Sequence, residues 1–313
     1  MCAELRTLSL LGGVTAAGKT EFAISWAQSN RAEILCCDSV AFYRGFDVGS
    51  AKPSLEERGK VSHHGLDLCD LSEPIDVDQY HQYAEGVLRD IAKRGKGAMV
   101  VGGSGFYLDG FLHPVVDEVN ISEDTRGKVC RIYENEGKEG LLTHLHQINP
   151  AGLEQLDIHN PVRLLRALER CLESGKSLQE LRERFSALPD PYPKWEKKMI
   201  WLDREDADIE ERIEHRTRGM LAAGLVAEVQ SLLENGLCEK ANLASAVGYR
   251  EVISYLRGGL DEVDLLPAIA SSTRKLVSKQ RKWFRKKFPS GSRVLLGREE
   301  VMDTSRYPWI SRP

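Results

Sequence analysis

At 313 residues with 42% hydrophobic content, the chain can bury a full core, as one large domain or as one domain with a second embedded in it. Its net charge of −4 argues by itself against a nucleic-acid partner, and without a run of ~18 apolar residues no membrane-spanning helix is expected. Seven cysteines (Cys2, Cys36, Cys37, Cys69, Cys130, Cys171, Cys238), odd in number and without a C-x-x-C pair, suggest neither a disulfide framework nor a cysteine zinc site. Residues Met1 to Arg6 lack a basic region followed by a long apolar stretch, so a cytosolic protein with reduced thiols is expected.

The first predicted element is a strand, Leu8 to Leu11, and it runs into Gly13-Val14-Thr15-Ala16-Ala17-Gly18-Lys19-Thr20, the pattern G-x-x-x-x-G-K-[ST]. A helix-like stretch, Glu21 to Gln28, follows. Strand, glycine turn and helix start in this order aim backbone N–H groups and the positive end of a helix dipole at one small volume, which suits a polyphosphate. Lys19 adds a point charge, and the Thr20 hydroxyl can help hold Mg²⁺. The competing reading is a flexible Gly/Ala turn.

Further strands are expected at Glu33 to Cys37 and Ala98 to Val101, ending in Asp38-Ser39 and Gly102-Gly103-Ser104-Gly105. Strands alternating with helices predict an α/β fold, a P-loop NTPase-like parallel sheet flanked by helices, with three loops converging at its carboxyl edge. Asp38 is expected on the strand next to the phosphate-loop strand and able to face the loop's ligand; a turn aspartate is its alternative role.

From Asp117 to Lys198 the sequence turns polar and helical and closes on Pro189, Pro191 and Pro193, so a helical insertion is expected between core segments 1–116 and 199–313. In it Asn160-Pro161 reads as a helix start, Gly175 as its stop, and Leu164, Leu165, Leu168 and Leu172 as the buried stripe. Met199 to Leu202 and Arg293 to Leu296 can extend the sheet. Asp203, before a long helix, reads as a solvated N-cap. On that helix Ile209, Ile213, Arg216 and Met220 step by 4, 3 and 4, which puts Arg216 on the inward stripe, where its charge needs an anion or a core carboxylate. Arg274, Lys275, Lys279, Arg281, Lys282, Arg285, Lys286 and Lys287 follow without one acidic residue, while Leu276, Gln280, Trp283, Phe284 and Phe288 keep helical spacing. This predicts an amphipathic helix with a basic face able to attract a phosphate backbone.

Taken in order, Gly13-to-Thr20, Cys37-Asp38-Ser39, the block Tyr43 to Pro53, Val101 to Tyr107, Val247-Gly248-Tyr249-Arg250 and Thr273-Arg274-Lys275-Leu276 resemble the motifs of the tRNA dimethylallyltransferase family, bacterial type, over nearly the whole chain. The resemblance implies transfer of a dimethylallyl group from dimethylallyl diphosphate to the exocyclic N6 amine of adenosine-37 beside the tRNA anticodon, with release of diphosphate. It implies that the loop Gly13 to Thr20 holds the diphosphate with Mg²⁺ on Thr20, that Asp38 is the general base, and that Lys19, Ser104 and Arg216 assist. It also implies tRNA contacts at Asp38, Ser39, Val40, Ala41, Ser104, Arg126, Val162, Arg163, Leu164, Leu165, Arg166, Ala246, Val247, Gly248, Tyr249, Arg250, Thr273, Arg274, Lys275, Lys279 and Gln280. Core packing competes with that role at Val162, Val247 and Leu276, and turn chemistry competes at Ser104.

Val14 and Ala17 stand where the family commonly has proline and serine, Ser104 where it has threonine, and Gly65 where an apolar residue is usual. Adjacent His63 and His64 lack further ligand spacing and read as structural or surface residues. A monomer is expected. The rival activities are prenylation of a free adenine nucleotide, phosphoryl transfer from ATP to a small metabolite, and nucleotide-gated RNA binding without catalysis.

Overall fold

The computed structural model describes residues 6–153 and 156–297; the expectations for Cys2 and the first five residues lie outside them. The chain divides into two compact units, one of residues up to Val115 and from Pro191 on, the other Val116–Asp190. The first unit opens with β1 (Arg6–Gly13), α1 (Lys19–Asn30), β2 (Ala32–Cys36), α2 (Leu55–Lys60), β3 (His63–His64), α3 (Val77–Lys93), β4 (Gly97–Val101) and α4 (Gly105–Asp109). The second unit holds α5 (Glu123–Ile148), α6 (Pro161–Ser174) and α7 (Leu178–Ser186). The chain then returns through β5 (Trp195–Arg204), α8 (Asp206–Ala222), α9 (Leu225–Glu234), a 3-10 turn at Leu237–Glu239, α10 (Ala241–Ala244), α11 (Tyr249–Leu256), α12 (Glu262–Lys287) and β6 (Arg293–Leu296).

The six strands form one parallel sheet in the order β3-β2-β4-β1-β5-β6. Its central strands are buried on both faces, which is why they read as near-continuous apolar runs. Alternate side chains divide between two cores. Leu10, Leu35, Val100 and Trp201 pack with Tyr80, Leu88 and Ile91 of α3 and Phe284 of α12, whereas Leu11, Ile34, Met99 and Ile200 pack with Phe22 and Trp26 of α1 and Ile213 of α8.

One neighbour differs from expectation. β4 lies between β2 and β1, so Asp38 does not follow the strand adjacent to the phosphate loop. Strand order is a long-range choice that no local periodicity encodes. β3 was not anticipated either, because two residues carry no readable alternation; its His64 hydrogen-bonds Glu33, and His63 bonds the Val61 carbonyl, so both act structurally. β5 begins at Trp195, four residues upstream of the predicted start.

In the second unit, α6 starts as expected: the Asn160 side chain accepts from the amides of Val162 and Arg163, Pro161 opens the helix, and Gly175 ends it at φ 65°. Its buried stripe is Leu164, Ala167, Leu168 and Cys171, packed with Val129, Leu141, Leu145 and Leu181. Leu172 is exposed, contrary to expectation, because Cys171 holds the inward position one residue earlier.

Candidate active site

Three loops leave the carboxyl ends of β1, β4 and β2 and line one cleft of about 2110 Å³, together with residues of α8, α11 and α12, all within the first unit. The loop after β1 is held from behind. Arg212 Nε donates to the Ala16 carbonyl (2.7 Å), Arg204 Nε to that of Ala17 (3.1 Å), and the Val14 amide donates to Leu202 (3.2 Å). Gly18, at φ 93°, turns the chain into α1 without a side-chain cap, and Gly18, Lys19 and Thr20 at this helix start line the cleft, the kind of position that suits an anion. Ala16 also adopts φ 63°, a costly conformation for a residue with a Cβ, kept here by these anchors.

Lys19 Nζ lies inside the loop and donates to the carbonyls of Gly13 (3.0 Å) and Val14 (2.9 Å). Burial, and secondarily Arg216, push its pKa down to about 8, against the opposing pull of Asp38. Burial likewise lowers Arg216, and the carboxylate acting on it through space is Asp38 rather than an ion-paired core acid. Two desolvated cations thus share one carboxylate, an arrangement that favours a further anion. Asp38 itself accepts from the Val40 amide (3.0 Å), so its turn role is real and coexists with its place in the cleft. Ser104 hydrogen-bonds Ser39 through both the amide (3.2 Å) and the hydroxyl (3.3 Å), tying the β2 and β4 loops together instead of capping α4.

The cleft gathers Thr15, Ala16, Gly18, Lys19, Thr20, Asp38 to Ala41, Ser104, Arg216, Ala246 to Arg250, Thr273, Lys275, Lys279 and Gln280. Val247 and Leu276 are half-buried in its lining, and Val162 is 63% exposed on α6, so core packing is not the role of any of the three. Conversely, the side chains of Leu164, Tyr249 and Thr273 are buried, with Thr273 bonded to the Ile269 carbonyl. Arg126 and Val162 to Arg166 belong to the second unit; Arg163 and Arg166 are exposed, the latter paired with Glu169.

Asp203 is not a solvated cap. It is fully buried and bridges Arg281 (2.9 Å) and Arg293 (2.6 Å), while Glu205 takes the cap position of α8. The sequence reading missed this because both partners are distant along the chain. It also missed three residues that shape the cleft wall. The Lys52 side chain, 1% exposed, joins Asp47, Asp67 and the Tyr43 carbonyl. Glu228 accepts from three consecutive amides, Asp47, Val48 and Gly49, and from the Tyr249 hydroxyl. Arg212 supports the loop, and its i, i+4 spacing with Arg216 was the available signal. Among the described residues no cluster of three His, Cys, Asp or Glu could hold a metal.

Residues 41–287 match the family model described as IPP transferase. A tRNA dimethylallyltransferase of Opitutus terrae is 47% identical over 287 residues, covering 92% of each chain. The crystal structure of the full-length tRNA isopentenylpyrophosphate transferase from Bacillus halodurans superposes with a TM-score of 0.66 at 27% identity, covering 93% of this chain and 90% of that one. A eukaryotic dimethylallyltransferase acting on tRNA shares the fold, with a TM-score of 0.83 at 22% identity over 98% of this chain and 80% of that one. With the glycine-rich loop Gly13 to Thr20, its lysine and an acidic strand end brought to one sheet edge, and with that match over most of its length, the chain belongs to the IPP transferase family.

Proposed function

We infer that the protein is a tRNA dimethylallyltransferase that moves the dimethylallyl group of dimethylallyl diphosphate to the exocyclic N6 amine of adenosine-37, releasing diphosphate. The observation that carries this reading is the convergence of half-buried Lys19 and Arg216 with Asp38 in one cleft of a chain of this family.

In the proposed reaction the N6 lone pair forms a bond to the allylic C1 as the C1–O bond breaks. The electron pair leaves on the diphosphate, and the amine's extra proton passes to the Asp38 carboxylate. Negative charge then grows on the leaving group, where Lys19, Arg216 and the loop amides stabilise it more than in the ground state. Thr20 would hold Mg²⁺ jointly with diphosphate oxygens. The residues suit that ion, because Mg²⁺ keeps several waters and needs only one or two protein oxygens beside phosphates. When bound, it would further neutralise charge on the leaving diphosphate. Ser104, tied to Ser39 beside Asp38, would position the base.

The target adenine must leave its stack to enter the cleft. The cleft exceeds the several hundred Å³ of an ordinary small-molecule site, which favours a polynucleotide over a free nucleotide acceptor. Lys275 and Lys279, exposed in its lining, and Arg163 and Arg166 of the second unit supply charge for the phosphate backbone. A monomer is proposed, and a tRNA substrate supports a cytoplasmic location.

Incubation with labelled dimethylallyl diphosphate, Mg²⁺ and unmodified tRNA should place the label on the adenosine at position 37 after digestion. Label on AMP but not tRNA would establish the free-nucleotide rival, and transfer of phosphate from ATP would establish the kinase. Asp38→Ala should lose at least ~100-fold in kcat while retaining tRNA binding.

A further inference from the structure

Gln280 sits on the basic helix α12, yet its carboxamide is built into the phosphate loop. Its Oε1 accepts from the Thr15 amide at 2.8 Å, and its Nε2 donates to the Gly103 carbonyl at 3.2 Å. A Cβ added at Gly103 would fall 2.8 Å from this Nε2 and 3.7 Å from Lys19 Nζ, so the carboxamide and the lysine head share one side of the loop. One turn along α12, Phe284 packs so close to β1 that a Cβ on Gly12 would meet its ring at 2.3 Å. The adjacent Arg281 is pinned to buried Asp203. The helix therefore cannot draw back from the loop as a rigid body without breaking these contacts.

A polyphosphate lying along such a loop meets the helix-start amides with its inner phosphates, while the lysine reaches its outer ones. Thr15 follows directly on Gly13 and Val14, against whose carbonyls Lys19 Nζ lies. We propose that Gln280 sets the length of the polyphosphate this loop accepts, its carboxamide filling the place beside Lys19 and the Thr15 amide that a third phosphate would need. The loop then takes a diphosphate and discriminates against a triphosphate. The proposal rests on the diphosphate reading of the site and adds to it a specificity residue.

The test uses the full chain with inorganic diphosphate and inorganic tripolyphosphate, titrated calorimetrically at fixed free Mg²⁺. The unaltered protein should prefer diphosphate. Gln280→Ala opens the position and frees the Thr15 donor, so the ratio of the two Kd values should move about tenfold toward tripolyphosphate. Gln280→Glu keeps an acceptor for Thr15 but adds charge that repels the longer anion more, so the ratio should move the opposite way. An unchanged ratio, or movement in the same direction in both variants, overturns the proposal. So does an equal loss for both anions, since that is what loop positioning alone would cause. The Glu variant keeps the test decisive if the Ala variant does not fold. Failure of the unaltered protein to bind either anion would sink the diphosphate reading itself, whereas an unchanged ratio sinks only the role of Gln280.

Discussion

Lys19 carries its charge against its surroundings, and this gives the site a pH signature. An ordinary lysine titrates near 10.5, but burial first and Arg216 second lower this one to about 8. Below pH 8 the ammonium is already charged and ready for an anion. Above it the free site loses its proton, so diphosphate affinity should fall as pH rises past 8, measurable by titration calorimetry. The sign for folding is the reverse. Between 8 and 10.5 the unfolded chain holds the proton that the folded one has lost, so this group's penalty on stability is relieved as pH rises through that window. Arg216→Gln removes a repelling charge and should move the break in affinity upward. Asp38→Asn removes the attracting one and should move it downward. Breaks that stay in place in both variants would show that the three groups do not act on one another.

At the scale of elements, α12 serves two purposes that its composition blends. Arg274, Arg281 and Lys287 are engaged by Glu210, by Asp203 with Asp206, and by Asp109. Lys279, Lys282 and Arg285 are exposed. Replacing these last three by alanine should weaken tRNA binding and reduce its log–log salt slope by about 2 to 3, with little change in melting temperature. Arg281→Ala should instead cost about 2–3 kcal/mol of stability, less than complete loss of a buried pair because Arg293 still holds Asp203; chemical denaturation would read it. The run of basic residues was legible as an amphipathic helix with a basic face. Which of its charges are already engaged was not, because Asp203 and Arg281 meet only once β5 and α12 are packed together. The same limit applies to Gln280, whose polar side chain gives no sign in the sequence that it reaches a loop 265 residues away.

At the scale of the molecule, each unit has its own core, and the second buries Leu168 completely among the side chains of α5 to α7. Leu168→Ala should cost that unit about 2–5 kcal/mol. Hydrogen exchange should show the loss in residues 116–190, while diphosphate binding in the first unit persists; global loss of protection would count against separate cores. By itself the sequence determined the glycine-rich loop between β1 and α1, the strands that carry the cleft loops, the capped helix of the second unit and the family, because these are written in short-range spacing and ordered motifs. Tertiary structure alone decided that β4 separates β2 from β1, that Asp203 is a buried hub, and that Arg216 lines one cleft with Asp38 and has no ion-pair partner among the described residues. These outcomes depend on which distant surfaces meet and lose water together, a quantity that no local pattern of residues contains.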